Sequence, residues 1–328
     1  MSEKKSINEI SKVNVRKAVI ILSVALLAAC GAGAKENPKG RGPQSNPSGG
    51  GAMTNSGGNF VEITLSDGYR HVRSNGIPDH QTGSFPNAAN PHTIQAQNLY
   101  YKMTASPQWG PRAYDLGLWP FGVALNGIPF DPYTAEWYQN DRNSGWHYEA
   151  LSGFINLGAD MNNAHVQPNG LYHYHGLPWG VMDNDPFHHS NLIGYAADGY
   201  PIYAQYGYSD PGNSGSPIKQ IASSYRLKSG NRSGGPGGAY DGTFIEDYHY
   251  QAGTGDLDEC NGRNGVTPEY PQGTYHYFVT DSFPYVPRCF KGTPDQSFIR
   301  GMMRMGPEGD SSFSREGEHR HFHPHFRH

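Results

Sequence analysis

The chain has 328 residues, of which 16% are charged and 12% aromatic, with 43 Gly, 25 Pro and 22 Tyr. That is enough for one large domain or two small ones, and aromatic richness with Gly and Pro punctuation predicts an all-β fold with many turns. A formal charge of −4 leaves no basic footprint and excludes nucleic acid as a partner.

The chain opens on a targeting segment. Lys12, Arg16 and Lys17 precede an apolar run from Ala18 to Ala29. As a helix these residues span about 18 Å, short of a bilayer core of about 30 Å, so residues 1–29 read as a signal peptide. The run ends in Leu27-Ala28-Ala29-Cys30, which resembles a bacterial lipobox. Cleavage there makes Cys30 a lipidated N-terminus and the membrane a partner through that lipid. The expected location is the cell envelope, and the outer membrane in a Gram-negative cell, since Gly31 and not Asp follows the cysteine. The competing reading is an ordinary signal peptide cut at a small-residue site.

Residues 30–58 are mostly Gly, Pro, Ser and Asn with little that is apolar, the composition of a flexible tether. A folded domain is expected over residues 59–294, beginning where "FVEITLSD" alternates like a strand and ending near "VPRCFKGTP". Residues 295–328 read as a disordered, His-rich tail.

Three short blocks recur inside the domain, in the same order. "FGVALNGIPF" from Phe121 matches "IGYAADGYPI" from Ile193 at an offset of 72, placing Asn126 on Asp198. "HYEA" at His147 matches "HYQA" at His249, and "PNGLYHYH" from Pro168 matches "PQGTYHYF" from Pro271. The order predicts an internally duplicated β-sandwich or barrel with long loops, its related halves near residues 116–178 and 191–290. The Gly- and Ser-rich stretch 209–238 is the natural place for an insertion in the second copy. The [Asn/Asp]-Gly pairs fit hairpin turns.

The segment "QPNGLYHYHGLP" alternates phenols and imidazoles. On a strand, His173 and His175 share one face and Tyr172 and Tyr174 the other. In the second copy His276 matches His173, but Phe278 stands where the first copy has His175, so the first copy is the candidate site. Two imidazoles on one face suit Zn or Cu, and a third ligand is needed. His165 is the first choice; His80, His92, His147, His249 and His276 are weaker candidates. Asp198 is a further ligand or an acceptor behind one. His188 and His189 are adjacent, would point apart, and read as surface.

"GDLDECNGRNG" offers Asp256, Asp258, Glu259, Asn261 and Asn264 as oxygen donors for Ca²⁺, or else a solvated loop. Cys260 and Cys289, the two cysteines besides Cys30, predict a disulfide in an oxidising compartment; free thiols or a thiolate metal pair are the alternative. In the tail, His319, His321, His323, His325 and His328 suggest loose metal capture, with Met302, Met303 and Met305 upstream; the plain reading is a polar extension.

From about Phe60 to Pro294 the sequence resembles the YHYH domain family of exported bacterial proteins. The resemblance is carried by "NGIPDHQTGSFPNAANPH", "GVALNGIPFDP", "AHVQPNGLYHYHG", "AADGYPIY" and "GDLDECNGRNGVTPEYPQGTYHYFVTDSFPYVPRCFKGTP". It implies the domain and export; it implies no activity and no ligand set. The expected function is binding of Cu or Zn through His173, His175 and His165. A metal-dependent extracellular hydrolase or oxidase is the main alternative, and a structural or carbohydrate-binding surface module the third.

Overall fold

The computed structural model describes residues 58–117 and 119–299. The leader, the tether, Cys30 and the five tail histidines therefore lie outside the described residues. Among the described residues there are strands and short 3-10 turns only, and no helix is long and apolar enough to cross a membrane.

Strands β1 (Val61–Ser66), β2 (Tyr69–Ser74) and β3 (Leu99–Thr104) form an antiparallel meander. In β3 the alternation is clean, with Leu99, Tyr101 and Met103 buried, as expected of a strand with one face on a core. β4 (Tyr114–Asp115) follows. The first half of the main sheet comprises β5 (Gly122–Ala124), β6 (Pro129–Phe130), β7 (Ala164–Val166) and β8 (Tyr172–Tyr174). The second half begins with β9 (Gly194–Ala196) and β10 (Pro201–Ala204). Two excursions follow: β11 (Tyr206–Tyr208) pairs with β12 (Ile218–Gln220), and β13 (Tyr225–Leu227) with β14 (Tyr248–Tyr250). β15 (Gly262–Gly265) and β16 (Thr274–Val279) complete the sheet, and β17 (Cys289–Phe290) returns to pair with β4.

The eight strands lie in the order β15-β16-β10-β9-β5-β6-β8-β7. This order is a palindrome. The β5–β6 and β9–β10 hairpins are equivalents; β6 runs parallel to β8 as β10 does to β16; β7 and β15 close the two edges antiparallel. At the centre Gly122 pairs with Ala196, Val123 with Tyr195 and Ala124 with Gly194. That register maps onto itself when the two copies are exchanged, so a pseudo-twofold axis passes through the Val123–Tyr195 pair. Both hairpins turn on a glycine of positive φ, Gly127 at 83° and Gly199 at 92°, a conformation that costs a residue with a Cβ.

The meander and the main sheet share one core. Tyr101 and Met103 belong to the same buried cluster as Phe121, Val123, Ile202, Tyr277 and Phe290. Phe121 stacks on Phe290 and meets Tyr277 edge-on, at centroid distances of 5.1 and 4.9 Å. The arrangement is that of an open sandwich; the main sheet does not close into the barrel that was the other expectation.

The sequence boundary at Pro294 falls short. Phe298 is fully buried against Tyr101, and Ser297 Oγ accepts from the Lys102 N–H and donates to the Lys102 carbonyl. A polar-looking stretch hides one aromatic anchor, so the fold continues at least to Ile299. The Cys260–Cys289 disulfide is formed, with Cα atoms 5.0 Å apart.

Candidate metal centre

His165 sits on β7 and His173 on β8. The two strands are joined by a Pro-Asn-Gly turn, in which the Gly170 N–H donates to the Gln167 carbonyl at 2.8 Å. The antiparallel register sets His165 directly opposite His173, and residues directly opposite project from the same face. His175 lies two residues beyond His173 and therefore on that face too. Its backbone N–H donates to the Asn163 carbonyl at 2.8 Å, which carries the pairing one step past β8. Asn163 adopts φ 51° and so bends the chain into β7 at the right point.

The three rings are almost equidistant. Centroid separations are 4.6 Å for His165–His173, 4.8 Å for His165–His175 and 4.7 Å for His173–His175, all edge-on. One ring nitrogen from each lies within 4.8 Å of the other two. Nitrogens on one tetrahedral ion at about 2.0–2.1 Å stand about 3.4 Å apart, so small ring rotations close the set. His173 and His175 are buried and His165 is partly exposed.

Hydrogen bonds orient two of the rings. His165 Nδ1 lies 3.0 Å from the Leu157 carbonyl and His173 Nδ1 3.3 Å from the Leu171 carbonyl. A carbonyl only accepts, so these contacts favour the tautomer with the proton on Nδ1 and Nε2 as the ligating nitrogen, although the Asn90 Nδ2 amide also lies 3.3 Å from His165 Nδ1. This is the support commonly found behind metal-bound imidazoles. Burial pulls the His165 pKa below the ordinary value, against the Leu157 carbonyl and the Glu136 carboxylate, which favour the charged form. A neutral ring is the form a metal requires.

The opposite face of β8 is equally specified. Tyr172 donates to Asp160 at 2.7 Å, and the Tyr174 hydroxyl meets Asn126 Nδ2 at 3.0 Å and His80 Nε2 at 2.5 Å. The tyrosines thus clamp the strand whose other face holds the imidazoles.

A cleft of about 440 Å³ opens beside the cluster, and His165 and His173 form part of its wall. Glu136, Tyr133, His92 and Asn90 also line it, and no Lys or Arg does. Sequence reasoning missed Glu136 and Tyr133. No spacing rule ties them to the histidines, because a long loop brings them there.

The other expected candidates fall elsewhere. His80 is taken by Tyr174 and by the Gln81 carbonyl. His92 reaches the cleft but not the three-ring group. His147 is stacked between Trp137 and Tyr133 at 3.9 and 5.4 Å, and its Nε2 donates to the Thr134 carbonyl. Burial holds its pKa at about 4, which marks it as neutral scaffold. His249, its sequence match, is exposed on β14; the two occupy unlike places. Asp198 accepts from Tyr277 at 2.6 Å and from the Gly292 N–H at 2.9 Å, and so supports a tyrosine. His276 is buried in the second half. His189, read from sequence as surface, is buried against Tyr203 and Tyr208, while His188 is exposed and pairs with Asp185.

The suggested Ca²⁺ loop is spoken for. Asp256 meets Lys219 Nζ and the Ala222 N–H, and Asp258 meets Lys291, the Tyr275 hydroxyl and the N–H groups of Cys260 and Gly262. Those oxygens face donors and do not converge on a cation's place.

A family model described as "YHYH protein" matches residues 100–292. No curated protein and no solved structure matches the chain. The matched span is more than half of the chain and holds the whole palindromic sheet, the three-histidine cluster and the disulfide: this chain belongs to the YHYH protein family.

Proposed function

We propose that His165, His173 and His175 bind one transition-metal ion, Cu or Zn, with its remaining coordination position turned toward the cleft. The observation that carries this reading is the equilateral arrangement of three imidazoles, two of them with Nδ1 anchored on backbone carbonyls. An all-nitrogen set of three suits both metals. Cys260 and Cys289, joined to each other, add no thiolate.

The protein would work at the cell envelope, tethered by lipid on Cys30. The lipobox-like residues before Cys30 and a disulfide suited to an oxidising compartment support this location. The tail histidines would capture metal loosely. Metal capture or handling is the activity that these parts support together.

One observation favours a second reading, a metal-dependent hydrolase or oxidase: a cleft of about 440 Å³ adjoins the cluster, room for a ligand beside an ion with an open position. A turnover screen on polysaccharides and phenols with metal present separates this reading from simple binding.

The deciding experiment is metal analysis of the purified chain with its five tail histidines replaced by Ala. One tightly held equivalent, lost in His173→Ala/His175→Ala, supports the centre. A parent that folds fully without holding metal, and that the double substitution leaves unchanged, returns the three rings to scaffold. Radiolabelled palmitate incorporated into the chain and absent from Cys30→Ala would support the tether.

A further inference from the structure

The palindromic sheet must carry a counterpart of the cluster in its second half. The register finds it directly. His276 on β16 occupies the place of His173 on β8, and opposite it, where His165 would be, stands Arg263 on β15. Two residues further on, at the place of His175, is Phe278. The surroundings are conserved between the halves in detail. His276 Nδ1 is 3.1 Å from the Thr274 carbonyl, as His173 Nδ1 is 3.3 Å from that of Leu171. The Phe278 N–H donates to Asn261 at 2.9 Å, as the His175 N–H donates to Asn163, and both asparagines have positive φ. Tyr275 donates to Asp258 at 3.1 Å as Tyr172 does to Asp160.

Arg263 poses a problem that this equivalence answers. Its side chain is buried, its Nε lacks a hydrogen-bond partner, and no carboxylate pairs with it among the described residues. A buried guanidinium in that state is costly. What surrounds it is a cradle: the Phe278 ring at 5.3 Å, the Tyr208 carbonyl at 2.9 Å from Nη2, and His276 on the same face. We infer that the second half is a closed copy of the metal centre, in which the fixed guanidinium of Arg263 occupies the cation's place.

The inference rests on the metal reading of the first half and strengthens it, because a cation retained at the second position is what replacement of an ion would leave. It also explains why one centre is open and the other is not. The first faces the cleft, whereas strand β11 lies over the second. A Cβ on Gly207 would come within 2.9 Å of Arg263 Nη2 and 3.1 Å of Phe278 Cζ, so β11 packs closely over both side chains. The excursion that lengthens the second copy begins with this cover.

The test uses the full chain with His319, His321, His323, His325 and His328 replaced by Ala, alone and with Arg263→His/Phe278→His added. Each is titrated with Zn²⁺ against a chromophoric chelator. The parent is expected to bind one equivalent and the variant two. One equivalent in both, with the variant folded by near-ultraviolet circular dichroism, overturns the inference. A parent that binds none overturns the metal reading itself, a distinguishable result. The reciprocal variant, His165→Arg/His175→Phe, decides the matter if the first does not fold. It is expected to be folded, to bind no Zn²⁺, and to keep its thermal midpoint on addition of EDTA while the parent's falls. A reciprocal variant less stable than the EDTA-treated parent overturns the inference.

Discussion

His165 faces His173 squarely across the β7–β8 pair, ring centroids 4.6 Å apart, and the turn between the strands sets that register. The pair is therefore as rigid as the hairpin that presents it. His165→Ala is expected to lower metal affinity by more than about 100-fold, beyond the 10–100-fold typical of losing only an outer hydrogen-bond partner. His249→Ala, on exposed β14, should leave the affinity unchanged. Competition titration against a chelator measures both.

Acid should destabilise the fold, and the sign follows from the buried imidazoles. Burial holds His147 at about 4 and His276 at about 3, while Asp198 is raised to about 6. Between about pH 6.5 and 4 the unfolded chain protonates both histidines and the folded chain does not, so stability falls as pH falls. Asp198 acts oppositely, since the folded state takes up its proton first, and it offsets one of the two. These three groups together contribute a declining denaturation midpoint from pH 7 to 4, to which the lowered His165 and His189 add and which the raised Glu149, Glu246 and Asp258 oppose. The decline should be shallower in His276→Gln and steeper in Asp198→Asn.

The two halves use the same tyrosine differently. Tyr277 donates to the buried Asp198 carboxylate and accepts from the Lys291 N–H, while Tyr174 meets the uncharged Asn126 amide and the His80 ring and no carboxylate. A hydrogen bond to a charged group contributes about 1.5–3 kcal/mol and a neutral one about 1. Tyr277→Phe should therefore cost about 2 kcal/mol and Tyr174→Phe about 1 kcal/mol in chemical denaturation at pH 7.5.

The Cys260–Cys289 bridge closes a loop with a sequence separation of 29. Chain entropy puts its contribution at about 3.6 kcal/mol. Cys260→Ala/Cys289→Ala should lose roughly that much, and reduction of the parent should reproduce the loss.

Glu136 places a carboxylate in a cleft that has no Lys or Arg in its lining. An anion approaching a metal there would meet repulsion on the order of 1 kcal/mol. In the Co²⁺-loaded chain, Glu136→Gln should tighten azide about 3–10-fold by visible absorption titration.

Much of this was legible before any coordinates. Period-two alternation put His173 and His175 on one face, and the 72-residue offset pointed to a duplicated β unit with matching hairpin turns, whereas the central pairing and its symmetric register came only with the structure. His165 stood out only by nearness in sequence; that a Pro-Asn-Gly turn makes it a cross-strand partner depends on pairing. A further equivalence, Asp160 and Asn163 with Asp258 and Asn261, escaped notice because the residues between them diverged and the copies differ in turn length. The His147–His249 match misled, since one ring stacks between aromatics and the other faces solvent. His189 and Phe298 were misplaced for a shared reason: their burial is created by distant strands, not by local pattern.

The central claim is that three imidazoles hold one ion. Its most direct test is X-ray absorption at the metal edge of the Zn- or Cu-loaded chain with the five tail histidines replaced by Ala. The account predicts three imidazole nitrogens at about 2.0–2.1 Å, reduced in number by His165→Ala. A loaded site without imidazole scattering, or one that His165→Ala leaves intact, would contradict it.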